Sequence, residues 1–291
     1  MNIPSSQPLE VVAVHGVGYL DRRATPEEVR AANRVRWTRH LSNGLGVPEG
    51  RLDLNFAYYA AALRNGPTAQ GPGDPEELED PLARELLAAW LEDLGAPRPV
   101  AQGGLTLPLR ITASWVAVKF SLDGRLTKLF IRLFFREVAA YLRADDDAAR
   151  EAARQEVVAQ IAEHRPRVVI AHSLGTVVAY EALHAHPELE IELLLTMGSP
   201  LALPRAVFDR LVPRPTGTAP ALGARPAGVA RWVNIADPGD PVAIPPRLAR
   251  AFGGVALDLT TPVHAAFGFH HAKNYLACAA TAATLGPYVG A

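Results

Sequence analysis

Short apolar runs alternate with longer segments of helical periodicity along most of this chain of 291 residues. Most of the short runs are unbroken and rich in β-branched residues, which is typical of strands covered on both faces. The strand-like runs lie at residues 9–14, 52–59, 167–171, 191–197, 229–236 and 255–259. The helical patterns lie at residues 26–41, 148–164, 174–186, 204–211 and 272–285. This alternation predicts an α/β fold with a doubly wound, mostly parallel sheet of about six core strands.

Two stretches depart from the alternation. Residues 61–147, between the second and third strands, hold Pro/Gly-rich loops at 66–75 and 95–108, a helical pattern at 81–94 and an apolar segment at 111–142. We interpret them as a helical insertion or cap on a single domain that spans residues 1–291. Residues 212–228, rich in Pro, Gly and Ala, predict an irregular surface loop.

A basic stripe marks the apolar segment of that insertion. Arg125, Lys128, Arg132 and Arg136 are spaced by three and four residues, and Arg143 follows two turns later. The pattern predicts an amphipathic helix with a broad apolar face. It fits a packed helix with one solvated edge, a lid over an apolar substrate site, a dimer contact or a membrane-surface helix.

The candidate nucleophile follows the third strand. Residues 168–172 are apolar up to His172, Ser173 stands between the small residues Ala171 and Gly175, and a helical pattern begins at Leu174. This order is typical of a sharp strand-to-helix turn that raises a serine hydroxyl above the end of a parallel sheet. Small residues two positions before and after the serine leave room for its strained backbone.

A serine needs a base to take its proton and an acid to orient that base. Asp237 and Asp240 share the loop after the strand at 229–236, and we favour Asp240 because a rigid Pro-rich segment follows it. After the strand at 255–259 come the candidate bases. We favour His270, take His271 as the second choice and place His264 third.

An oxyanion hole needs two N–H donors where negative charge develops. We expect one from Leu174, directly after the serine, and one from Val17 in the loop after the first strand. Gly16 and Gly18 let the backbone of that loop approach a substrate, and with His172 they form the predicted substrate-binding set. His15 fits better as an anchor of the loop than as a proton-transfer group.

Four segments together carry a resemblance: residues 12–18, residues 171–175, the Gly-Ser-Pro turn at 198–200, and Asp240 with the Pro-Val that follows it. They resemble the α/β-hydrolase superfamily on its lipase/esterase-like side. The resemblance implies Ser173 as nucleophile and Asp240 as acid, and a hydrolase of an ester, thioester or lactone. Ala171 replaces the usual first glycine, and the histidine pair leaves the base open. Acyl transfer or cyclisation, amide hydrolysis and a non-catalytic binding module are the alternatives.

Charge and composition restrict the kinds of binding partner that we expect. A formal net charge of −1 gives no general attraction to nucleic acid, and the single cysteine, Cys278, forms no internal disulfide. The N-terminus has no secretory or membrane-spanning pattern, so we expect a cytoplasmic protein. Adjacent histidines are poor joint metal ligands, and Gly16-x-Gly18 lacks the rest of a phosphate-binding motif, so we expect neither metal nor cofactor. The expected partner is a small, hydrophobic acyl substrate, with a membrane surface less favoured and the oligomeric state open.

Overall fold

The computed structural model describes residues 7–65, 78–97, 109–143, 147–218, 220–263, 268 and 270–290. Its central sheet has six strands in the order β2-β1-β3-β4-β5-β6, and every neighbouring pair is parallel. The strands are β1 (Leu9–Val14), β2 (Leu52–Ala57), β3 (Val168–His172), β4 (Ile191–Met197), β5 (Val229–Ala236) and β6 (Val255–Thr260). The α/β class and the six-stranded parallel sheet are therefore confirmed.

Helices cover both faces of the sheet. They are α1 (Pro26–Leu45), α2 (Pro81–Asp93), α3 (Leu109–Phe120), α4 (Gly124–Leu142), α5 (Asp147–His164), α6 (Leu174–Ala185), α7 (Ala272–Leu276) and α8 (Ala279–Val289). Alternate residues of β1 enter two different cores: Val12 and Val14 pack with α2 and α4 to α6, whereas Val11 and Ala13 pack with α1, α7 and α8. Both faces of the strand are buried, which explains its unbroken apolar sequence.

The sequence of α1 sets its two ends. Thr25 accepts a hydrogen bond from the Glu28 N–H, and the Glu28 carboxylate accepts one from the Thr25 N–H, a reciprocal capping box with Pro26 at the first helical position. The helix ends at Leu45, and the next residue, Gly46, has φ of +67°, which suits a glycine cap. This helix forms one side of the cavity described below.

The described part of the segment between β2 and β3 is mostly helical, with a 3₁₀ segment followed by α2, α3, α4 and α5, and it contains no strand. Helix α4 buries Phe134 and Phe135, and the indole N–H of Trp90 in α2 donates to the carbonyl of Pro241, 2.8 Å away. The segment is thereby fixed against the loop that carries Asp240. Residues 66–75 and most of 95–108, which we predict to be loops, lie outside the described residues.

Two helix predictions are wrong. Residues 204–211 form turns that lead into a 3₁₀ segment at Phe208–Arg210, because the N–H groups of Phe208 and Asp209 bond back five residues and break the α-helical pattern. Residues 272–285 form two helices instead of one. The backbone of Cys278 is extended, with ψ of 155°, and this interrupts the helix. The Thr281 hydroxyl donates a hydrogen bond to the Tyr275 carbonyl, 2.6 Å away.

The second strand ends at Ala57, two residues before its predicted end, and a 3₁₀ segment follows at Tyr59–Asn65. Within the irregular stretch at 212–228, Gly223–Ala224 pairs with Phe252–Gly253 in a separate two-stranded sheet. Among the helices of the described residues, none combines the length and the apolar character that crossing a bilayer requires.

Candidate active site

Ser173 occupies the turn between β3 and α6. Its backbone has φ of +55° and ψ of −132°, a conformation that residues other than glycine rarely adopt. Its N–H bonds to the Met197 carbonyl at 3.0 Å, which holds the turn against β4. A Cβ at Gly175 would overlap the His15 carbonyl oxygen. A glycine is therefore required where α6 passes the loop that follows β1. The strained turn therefore depends on small neighbours, as the sequence pattern predicts.

Three side chains from three loops form one hydrogen-bonded chain. His270 Nε2 lies 2.7 Å from the hydroxyl oxygen of Ser173, and His270 Nδ1 lies 2.6 Å from Oδ2 of Asp240. All three residues are buried, with Ser173 and Asp240 wholly so. The structure thus brings together the first choices for nucleophile, base and acid. Their order and spacing match the arrangement in which a carboxylate orients an imidazole against a hydroxyl.

Asp240 is held by two further donors. Its Oδ1 accepts from the Val242 N–H at 2.9 Å, and its Oδ2 accepts from the Tyr275 hydroxyl at 2.7 Å. Burial and the neighbouring Asp240 charge raise the pKa of Tyr275 well above its usual value, so the hydroxyl remains a donor. At Gly198, whose φ is +55°, a Cβ would lie 3.1 Å from Asp240 Oδ2 and 3.2 Å from His270 Cε1. A larger residue there would crowd the pair.

The second-choice residues lie nearby but serve other contacts. Asp237 accepts from the Gly239 N–H at 2.8 Å and from the Val263 N–H at 2.6 Å, so its carboxylate holds two loops. His271 is exposed and stands at the N-terminal cap of α7. Desolvation lowers its pKa, and the charges of Lys273 and His270 add to that effect. The third candidate, His264, lies outside the described residues.

The loop after β1 passes directly over the serine. A Cβ at Gly16 would lie 2.5 Å from the Cβ of Ser173, so only a glycine permits this approach. Val17 and Gly18 line the adjoining cavity. The N–H groups of Val17 and Leu174 have no hydrogen-bond acceptor within the described part of the chain. Both are therefore available as donors to an oxygen of a bound substrate.

Two buried histidines flank this loop. His15 stacks on Tyr59 with ring centroids 4.2 Å apart, and its Nδ1 lies 2.6 Å from the Gly16 carbonyl. Burial lowers the pKa of His15 to about 3. The His172 ring is tilted against that of His270, with centroids 4.8 Å apart, and burial, with the charges of nearby histidines, lowers the pKa of His172 well below its usual value. Both imidazoles are neutral near pH 7, and neither ring nitrogen of His172 has a partner in the described structure.

A cavity of about 640 Å³ opens beside the three residues. Its apolar side is helix α4, and its more polar side is the first half of α1 with the loop before it. The α4 side chains are Leu126, Leu129, Phe130 and Leu133, and the polar side includes Asp21, Glu28, Asn33 and Arg36. His172 and His270 form its inner end, whereas Ser173 has no exposed surface. The volume lies within the range of pockets that bind small organic ligands.

Two further residues, which the sequence pattern does not predict, contact this site. Tyr275 bridges the acid loop, since its hydroxyl donates to Asp240 and accepts from the Asp237 N–H. Nothing in its sequence neighbourhood indicates that bridge. Glu137 of α4 accepts a hydrogen bond from the Gly18 N–H. It is the only acidic residue between Arg125 and Arg143, and a lone carboxylate in a basic and apolar helix was a visible signal.

The chemistry available to the site comes from these side chains. Among the described residues, no group of three or more His, Cys, Asp or Glu side chains could hold a metal ion. Comparisons with protein-family models, curated proteins and solved structures gave no match to this chain. The geometry of the site is therefore the basis for inferring function.

Proposed function

We propose that this protein is a serine hydrolase of the α/β-hydrolase type, which cleaves an ester, thioester or lactone through a Ser173–His270–Asp240 triad. The observation that carries the proposal is the unbroken hydrogen-bonded chain from Asp240 through His270 to Ser173, at 2.6 and 2.7 Å. A buried serine in a strained turn does not need a histidine and a carboxylate for stability. Their alignment at the carboxyl end of a parallel sheet favours nucleophilic catalysis.

The reaction starts when Ser173 attacks the carbonyl carbon of the substrate and gives its proton to His270 Nε2. Asp240 accepts the Nδ1–H bond, fixes the tautomer and stabilises the imidazolium that forms. The negative charge on the carbonyl oxygen is held by the N–H groups of Leu174 and Val17. His270 then returns the proton to the leaving group as the tetrahedral intermediate collapses to an acyl-enzyme. Water, activated by His270, releases the acid and the serine.

The cavity supports an apolar acyl or alkyl substrate. The α4 side offers Leu126, Leu129, Phe130 and Leu133, whereas the α1 side offers charged and amide groups to the polar end of a substrate. In this arrangement, helices α2 to α4 act as a cap on the sheet. Because Ser173 has no exposed surface, a substrate reaches its hydroxyl only when neighbouring side chains move. Phe130 is one such side chain, because its ring centroid lies 5.2 Å from that of His270.

The decisive experiment is intact-mass analysis after incubation with a fluorophosphonate, which labels activated serines. We expect one adduct on the native protein and none on Ser173→Ala. Ser199→Ala is the matched control, because Ser199 is also buried and close to the site. Its hydroxyl oxygen lies 2.8 Å from that of Thr176, three residues after Ser173. It should be labelled like the native protein.

The opposite result is equally informative. A folded native protein that takes no adduct, or an adduct retained by Ser173→Ala, would contradict the proposal and favour a binding module. If the adduct forms as expected, p-nitrophenyl esters with and without an added alcohol or amine separate hydrolysis from acyl transfer. Amide substrates test the remaining alternative on the same triad.

A further inference from the structure

The glycine loop at residues 15–18 is held from two sides. On the sheet side, His15 packs among Tyr19, Phe56 and Tyr59 and contacts the Gly16 carbonyl through its Nδ1. On the opposite side the loop meets helix α4. A Cβ at Gly18 would lie 3.0 Å from the Leu133 side chain, and Gly18 has φ of +85°. The residue between these two supports is Val17.

Glu137 provides the polar part of the second support. The Gly18 N–H lies 3.1 Å from one oxygen of its carboxylate and 3.2 Å from the other, although the two residues are 119 positions apart in the chain. Glu137 is only 7% exposed. This contact joins α4 to the loop that crosses Ser173.

A buried carboxylate with so few donors needs an explanation, because burying charge is costly unless it is well paired. Glu181, the second buried glutamate among the described residues, receives hydrogen bonds from Arg150, Tyr141 and the Val212 N–H. Within the described part of the chain, the hydrogen-bond donor to Glu137 is the Gly18 N–H. Leu133, one turn earlier in α4, contacts the same glycine, so the helix meets the loop at this point through two side chains.

We propose that Glu137 is a positioning residue, which fixes the peptide between Val17 and Gly18 and so holds the Val17 N–H where the substrate oxygen becomes negative. The inference rests on the proposed function and assigns part of it to the helical segment between β2 and β3. Glu137 touches neither the triad nor the reacting atoms. Its effect reaches them through the backbone of one residue, where a displacement of about 1 Å is sufficient to slow a reaction about 100-fold.

The charge state of Glu137 makes the contact measurable. Burial raises its pKa to about 7, while the Gly18 hydrogen bond and the charge of Arg136 act in the opposite direction. Among the described residues, the ionisable groups around it include Arg136 of the same helix, Arg22 of the loop before α1 and the Tyr59 hydroxyl. A carboxylate accepts a hydrogen bond more strongly than a carboxylic acid does, so the loop is held more firmly as the pH rises through about 7.

Two substitutions separate hydrogen bonding from packing. Glu137→Met keeps a long side chain but has no acceptor, whereas Glu137→Gln keeps an acceptor oxygen but does not ionise. Thermal unfolding first establishes that both are folded. At pH 8 we expect fluorophosphonate labelling of Ser173 to be about 10 to 100 times slower in Glu137→Met and within about threefold of the native rate in Glu137→Gln.

The second readout is independent of activity. In the native protein, the NMR signal of the Gly18 amide should move with pH with a midpoint near 7, whereas in Glu137→Gln that titration should be absent. Arg136→Gln is the matched control. It removes a charge that favours the ionised form, so the midpoint should rise while Ser173 is still labelled.

Each failure has its own signature. A folded Glu137→Met that is labelled at the native rate, or a Gly18 signal that is unchanged between pH 5 and 9, would overturn the role of Glu137. A Gly18 signal that titrates in a native protein taking no adduct would instead leave the contact standing and refute the serine hydrolase. The two proposals can therefore fail separately.

Discussion

At the scale of single residues, hydrogen-bond partners distinguish the two aspartates that the sequence offers as partners of the histidine. Asp240 and Asp237 share one loop and are both fully buried, yet only Asp240 points an oxygen at His270, 2.6 Å from its Nδ1. Asp237 instead bonds the N–H groups of Gly239 and Val263. The two residues have the same chemistry and different partners, which makes them a matched pair for mutagenesis.

We expect Asp240→Asn to lower kcat/KM for a p-nitrophenyl ester by about 10⁴-fold, because an amide does not hold the productive histidine tautomer. Asp237→Asn should lower it by less than about tenfold, since one acceptor oxygen remains for the loop. Steady-state kinetics at pH 8 on both variants, with circular dichroism as the folding control, measure the difference. Equal losses in the two variants would show that Asp240 acts only by supporting the loop.

At the scale of elements, a buried ionic cluster binds the helices to one another. Glu181 of α6 accepts from Arg150 of α5 and Tyr141 of α4, and it also receives the N–H of Val212. Its side chain has no exposed surface, and that of Arg150 is 7% exposed. The cluster fixes α4 in the position from which Phe130 and Glu137 reach the site. The cluster therefore positions α4 and also stabilises the folded protein.

Glu181→Gln should destabilise the protein by about 3–5 kcal/mol, because it leaves the guanidinium of Arg150 buried without a counter-charge. The measurement is the free energy of unfolding in urea at pH 7. Glu188→Gln, which removes a surface partner of His186, is the control and should leave the unfolding curve unchanged. A loss below about 1 kcal/mol in Glu181→Gln would mean that packing alone holds α4.

At the scale of the whole molecule, buried neutral histidines couple stability to pH. The pKa of His15 is about 3 in the folded protein, against 6.5 for an ordinary histidine. Between these values the unfolded chain binds a proton that the folded one does not. The contribution of His15 to stability is therefore complete above about pH 6.5 and decreases as the pH falls, by about 1.4 kcal/mol per pH unit. His172 acts in the same direction. Glu137, with its raised pKa, acts in the opposite direction between about pH 4.5 and 7.

His15→Phe keeps an aromatic ring against Tyr59 and removes the titrating group. Its free energy of unfolding should therefore fall less steeply between pH 6 and pH 4 than that of the native protein, by about 1.4 kcal/mol per pH unit. Chemical unfolding at four pH values measures both slopes. Parallel curves for the two proteins would show that His15 binds a proton in the folded state.

The sequence by itself determined the α/β class, the parallel strands, the position of Ser173 and the two loops that hold the candidate aspartates and histidines, because these follow from local periodicity and from loops at strand ends. It did not determine the helix boundaries at 204–211 and 272–285. There the N–H bonds of Phe208 and Asp209, and the bond from the Thr281 hydroxyl to the Tyr275 carbonyl, decide the outcome. The local sequence gives only a preference for Asp240 over Asp237 and for His270 over His271, and the tertiary structure separates them, because only Asp240 and His270 lie within hydrogen-bond distance of each other. The tertiary structure also brought Tyr275 to Asp240 and Glu137 to Gly18. Such contacts join residues far apart in the chain, and their geometry exists only once the sheet and its helices have packed.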